Sequence, residues 1–164
     1  MAKMRRPGFV LAVFLLTLVI ASVALGSPSL PTLLADAPHG FYSWQIRPAH
    51  IVYTGDGSGV LGGFDGSGAR HAFHPGHLVW TSWTKEHAVA SGAVWLDDCT
   101  PDCARGTFIA RAVKAVASRP VKGHFTRMTL TYSDHGKRYI DKRGIERIGG
   151  SWQYFIVSLT PNGS

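Results

Sequence analysis

The stretch 95–106, WLDDCTPDCARG, holds both cysteines of the chain, Cys99 and Cys103, together with Asp97, Asp98 and Asp102. Residues of these types serve four chemistries: structural zinc, thiol redox exchange, calcium binding, or a stapled turn. Structural zinc needs four ligands, commonly as two Cys/His pairs, and the sequence offers no second pair. The three residues between the cysteines miss the two-residue spacing of a thioredoxin-type motif. Two cysteines in a chain that carries an export signal favour a disulfide, and Pro101 bends the segment toward the close Cα approach a bridge requires. Calcium stays open as the alternative, because the three aspartates are hard oxygen ligands, although no EF-hand spacing is present.

Three of the eight histidines, His71, His74 and His77, fall within seven residues. Neutral imidazoles suit Zn²⁺ or Cu²⁺. Pro75-Gly76 breaks any helix that would align them, so an ion would have to be wrapped by a loop; a surface loop with incidental histidines is the plainer reading. Gly57-Ser-Gly59-Val-Leu-Gly62 matches a dinucleotide-binding pattern, but no helix pattern follows it, so the segment reads as loop. No nucleophile elbow of the form G-x-S-x-G occurs, and no pair of carboxylates stands out. Nothing in the chain calls for a cofactor.

Two further groups bear on binding. The segment 134–150 carries Lys137, Arg138, Lys142, Arg143 and Arg147 against three acidic residues. It reads as a long hairpin connection with a basic tip, suited to anionic glycan or lipid head groups, or simply solvated. Trp80, Trp83, Trp95 and Trp152 are candidates for stacking on sugars. Trp80 and Trp83 stand three apart, so a regular strand would place them on opposite faces, with Trp83 the ligand-binding candidate on the surface.

The elements that must position these groups begin after residue 26. Lys3, Arg5 and Arg6 precede an uncharged run, FVLAVFLLTLVIASVAL, over residues 9–25, and Ala24-Leu-Gly26 offers a small-x-small cleavage site. Seventeen residues of helix span roughly 25 Å at 1.5 Å each, short of the ~30 Å hydrocarbon core. A secretory signal is therefore favoured over an uncleaved N-terminal anchor, and either puts the remainder outside the membrane. The formal charge of the whole chain is +7; without the first three basic residues, fourteen Lys and Arg stand against ten Asp and Glu, a formal +4. That balance weakly favours anionic envelope polymers or lipid head groups and does not suggest nucleic acid.

Residues 27–40, with three prolines and no alternation, read as a spacer, and a single extracytoplasmic domain is expected over 41–161. Strands are expected at 49–54, 78–84, 88–96, 125–133 and 151–160, from β-branched and aromatic runs bounded by turn residues. The run 107–117 suits helix or strand, and strand is preferred from its neighbours. The seven glycines of 55–68 argue against a regular element there. The expected fold is all-β: a small antiparallel barrel or sandwich of about six to eight strands behind an N-terminal hydrophobic signal or anchor helix.

Two blocks, Leu78-Val-Trp80-Thr-Ser-Trp83 and the stretch from Trp95 through Cys99, Cys103 and Gly106 to Phe108, with Tyr53-Thr-Gly-Asp-Gly57 upstream, resemble a group of small exported actinobacterial proteins of uncharacterised function. That group pairs a W-x-x-W strand with a C-x-P-x-C-A-x-G turn. The resemblance implies a β-rich extracytoplasmic domain with a disulfide in the turn, strengthens the strand reading of 107–117, and implies no activity. Some members are lipid-anchored; this chain lacks the cysteine at the end of the signal. The expected function is an exported, non-catalytic β domain that binds a cell-envelope polymer, lipid head groups or a protein. The alternatives are an exported hydrolase or metal-dependent enzyme built on the histidine loop, and a secreted inhibitor presenting the cysteine turn.

Overall fold

The computed structural model describes residues 29–37, 41–64, 75–102 and 105–162. The hydrophobic segment 1–26 lies outside them, as do His71, His74 and Cys103. Every regular element among the described residues is a strand: β1 Leu33–Ala37, β2 Phe41–Gln45, β3 Ile51–Val52, β4 Gly59–Gly62, β5 Val79–Trp83, β6 His87–Asp97, β7 Phe108–Val121, β8 His124–Asp134, β9 Lys137–Ile148 and β10 Ser151–Asn162. Eight of them form one curled antiparallel sheet, a half-barrel, in the order β10-β9-β8-β7-β6-β4-β3. The free side of β6 is shared: β5 pairs with Ala88–Ser91 and β4 with Ala93–Leu96.

Register in the C-terminal half is set by three two-residue turns. Lys122-Gly123, His135-Gly136 and Gly149-Gly150 each carry positive φ at both positions, and each joins directly paired ends, Val121↔His124, Asp134↔Lys137 and Ile148↔Ser151. Such turns match the right-handed twist of the strands they connect. Along β8, Met128, Leu130 and Tyr132 are buried at every second position, the period-two pattern of a half-buried strand, and Phe125, three residues before Met128, is buried as well. On the neighbouring strands the core positions are small, Ala88 opposite Ala117 and Ala90 opposite Ala115. Small residues there leave room for bulk from elsewhere.

The β1–β2 hairpin supplies part of that bulk. Leu33, Leu34 and Ala35 are all buried and join the main core with Trp83, Phe125 and Tyr154. Backbone bonds tie its entry to the β7–β8 turn, from Thr32 N to Gly123 O and from Phe125 N to Thr32 O, both 2.9 Å. The Tyr154 hydroxyl donates to Leu34 O. Residues 33–37 are thus strand and core where a spacer is expected; burial on both faces erases the alternation that would have marked them.

Three other expectations are corrected. The segment 134–150 is no loop: most of it is β9, paired along its length with β8 and β10. Gly59–Gly62 is the buried strand β4, because short glycines let β4 lie close between β3 and β6. Pro120 does not end the run from 107; β7 continues to Val121, with Pro120 opposite Phe125. The strand reading of 107–117 agrees with β7.

Candidate binding groove

The cysteine turn is built from its aspartates inward. Asp97 Oδ1 accepts the Cys99 N–H at 2.9 Å, and Asp98 Oδ1 accepts those of Thr100 and Thr107 at 3.0 and 2.9 Å. The two amides hold the Asp98 carboxyl below its ordinary range. Asp102 takes the Arg105 N–H at 3.1 Å and the Arg105 Nε at 2.9 Å. All three carboxylates serve the loop's own donors, which fixes the turn rather than opening an oxygen cage. His77 is exposed and meets His50 edge-on at 5.4 Å, while His50 Nε2 contacts Pro75 O at 2.9 Å. Among the described residues no group of three or more His, Cys, Asp or Glu is placed to hold a metal ion.

The expected ligand-binding residues are displaced in an instructive way. A register shift between Trp80 and Ser82 cancels the alternation of β5. Trp80 and Trp83 therefore meet edge to face at 4.6 Å, and Trp83 is buried at 7% exposure with its Nε1 donating to Pro31 O at 2.8 Å. It is a core residue, not a surface platform. Arg143 is also buried, at 8%, and pairs with Asp141, at 1%. Its Nε and Nη2 bond the two carboxylate oxygens at 2.7 Å each, and its guanidinium lies 4.9 Å over the Tyr53 ring. Burial, with Asp141 adding to it, lifts the Tyr132 phenol to about 12 and moves Tyr53 upward likewise. Lys137, Arg138 and Lys142 remain exposed on β9.

An open groove runs along β10 instead. At one end, Tyr42, Ser151, Trp152 and Gln153 line a cleft of about 520 Å³. At the other, Thr54, Asp56, Ser58, Arg143 and Ile156 line a depression of about 580 Å³. Gly55 and Tyr154 border both. Trp152, Tyr154 and Ile156 recur at every second residue on one face of β10 while Ser151 and Gln153 alternate to the other, so this edge strand contributes to the groove from both faces; the turn from β3 to β4 supplies the opposite rim.

The aromatic end is held from behind. Trp44 meets Trp152 edge-on at 5.2 Å and stacks on His124 at 4.0 Å, and His124 Nδ1 is 2.7 Å from Thr32 Oγ1. Tyr42 and Trp152 keep 36% and 38% of their surface exposed. Burial, and Asp36 across the hairpin, raise the Tyr42 phenol. At the polar end, Asp56 Oδ1 accepts the Ser58 hydroxyl at 2.7 Å and the Ser58 N–H at 3.0 Å. Those bonds lower its carboxyl to about 2, so it is ionised at neutral pH. The groove presents aromatic faces, hydroxyls, an amide, one carboxylate and the Arg143 guanidinium, with the exposed Arg147 directly opposite Trp152. Sequence reasoning reached Trp152 but not Tyr42 or Gln153; the alternation of Tyr42 and Trp44 in FYSWQ was the available signal.

No family model, curated protein or solved structure matches this chain.

Proposed function

We propose that the chain is an exported, non-catalytic β domain that binds a component of the cell envelope along the β10 groove. One observation carries the reading: two exposed aromatic rings, Tyr42 and Trp152, flank an open cleft, and Trp152 is braced by Trp44, itself stacked on His124. Exposed rings held in place by a packed shell are the usual anchors of recognition surfaces. The ionisable groups along the groove are engaged structurally, Asp56 by Ser58, Arg143 by Asp141 and Arg147 by the Gly150 carbonyl, which supports binding over catalysis. The signal-like composition of residues 1–26 supports export. In the same reading Cys99 and Cys103 are bridged; Cys103 lies outside the described residues, and no described cysteine is free.

Retention of the full-length protein on purified wall polysaccharide, lipid vesicles and envelope protein, compared with Trp152→Ala and Tyr42→Ala, tests the proposal. Selective retention that both substitutions reduce is expected. Retention on no fraction, or equal retention of all three proteins, would defeat it.

A further inference from the structure

We infer that the outer face of the sheet across β7, β8 and β9 binds a linear polyanion, a polymer with repeating phosphate or carboxylate groups on a polyol or sugar backbone. This face is separate from the β10 groove, and the inference stands without it.

Register gathers four cations there. On β8, Arg127, Thr129 and Thr131 alternate with the buried Met128, Leu130 and Tyr132, so they point away from the core. Arg127 is paired with Gly144, Thr129 with Lys142 and Ser133 with Arg138 on β9, while Thr131 is paired with Lys114 on β7. Cross-strand partners share a face, so Lys114, Arg127, Arg138 and Lys142 stand around the two threonines. At ~3.4 Å per residue and ~4.8 Å between strands, the four span about 20 Å by 10 Å.

The charge is uncompensated. Asp134 and Asp141 occupy the alternate positions, on the inner face, and are engaged by Arg111 and Arg143. Glu146 is the one carboxylate of these three strands on the outer face, two residues beyond Gly144. Among the described residues none of the four cations makes an ion pair. Arg127 is half-buried and its Nε has no hydrogen-bond partner there. A guanidinium held in that way gains from an anion at the surface.

What lies between the cations selects the partner. Thr129 and Thr131 share that space with Val116 and Ile140, and none of the four is an exposed large apolar or aromatic side chain. A bilayer interface takes apolar side chains inserted beside the basic ones. Single-stranded nucleic acid takes aromatic platforms for its bases. Cations with hydroxyls among them instead suit phosphate or carboxylate oxygens. The face is longer than one such group, so a chain of them fits it.

The test is calorimetric titration of the full-length protein with poly(glycerol phosphate) and polygalacturonate of graded length. Single-stranded DNA and phosphatidylglycerol vesicles serve as comparators. At least one polyanion is expected to bind, more tightly with length. Its affinity should fall about tenfold or more as salt rises from about 50 to about 300 mM. Lys114→Gln with Lys142→Gln should weaken it about tenfold, whereas Arg47→Gln with Lys85→Gln, which removes the same charge away from this face, should change it less than about threefold. All four positions are exposed, and circular dichroism checks that both variants fold.

No binding of either polyanion at low salt, or an equal effect of the two double substitutions, would overturn the inference. So would vesicles or DNA binding more tightly than both polymers through a contact that the Lys114 and Lys142 changes remove. Comparing variants cancels whatever segment 1–26 adds to vesicle binding.

Discussion

Arg143 closes two hydrogen bonds on Asp141, two residues earlier on the same strand, and both side chains are almost wholly buried. Adjacent same-face positions of a strand are near enough for this, and the pair neutralises itself before it meets the core. Removing one partner strands the other charge. Asp141→Asn is expected to cost about 3–5 kcal/mol in denaturant unfolding, while Asp141→Leu with Arg143→Met should cost far less. A single variant as stable as wild type would contradict this account.

Gly144 stands directly opposite Phe155, and a Cβ at Gly144 would occupy the space of the Phe155 ring. Glycine here is a seat for an aromatic side chain. Gly144→Ala should destabilise by about 1–3 kcal/mol through overpacking. In the background of Phe155→Leu the same change should cost clearly less, a coupling that a double-mutant cycle measures.

The Lys122-Gly123 turn holds a lysine at φ 49°, a conformation that asparagine tolerates better. Lys122→Asn is expected to stabilise by a few tenths to about 1 kcal/mol, and Gly123→Ala to destabilise by about 1 kcal/mol or more. Thermal melts of the two variants should move in opposite directions.

Two carboxyls give opposite pH signatures. Burial raises Asp36 above 3.8 in the folded protein, with the Val52 N–H bond and His50 opposing it. The folded state therefore holds that proton longer, and its contribution to stability declines as pH rises from about 3.8 upward. Asp36→Asn, which keeps an acceptor for Val52, should gain relative to wild type across that rise. Asp56 is lowered from 3.8 to about 2, so its contribution is present above 3.8 and lost as pH falls toward 2. Asp56→Asn should flatten the acid limb, modestly because the group is exposed. Denaturation midpoints from pH 2 to 7 decide both signs.

Most strands were legible because their two faces differ in burial. In β8 alternate residues from Met128 to Tyr132 are buried, and the period is visible in MTLTY. What escaped was of two physical kinds. β1 is covered on both faces, so LLA carries no period. β9 hides a buried ion pair among exposed charges, so KRYIDKRGIERI reads as polar throughout. Its boundaries were nonetheless written in His135-Gly136 and Gly149-Gly150, turn pairs twelve residues apart. For the site, Trp83 was misplaced because the register shift of β5 depends on how β5 meets β6, a relation local sequence does not encode.

The bond from the Tyr154 hydroxyl to Leu34 O joins residues 120 positions apart, whereas β7 to β10 are linked only by tight turns. Loop-closure cost rises with separation, so the local meander can order before the hairpin docks. Pulse-labelled hydrogen exchange during refolding should find β8 and β9 amides protected before those of 33–37. For a chain delivered from its N-terminus, Leu33 and Leu34 would emerge among the first core residues and wait for nearly the last strand to cover them. The interval between those two events is when the protein most needs a holding partner.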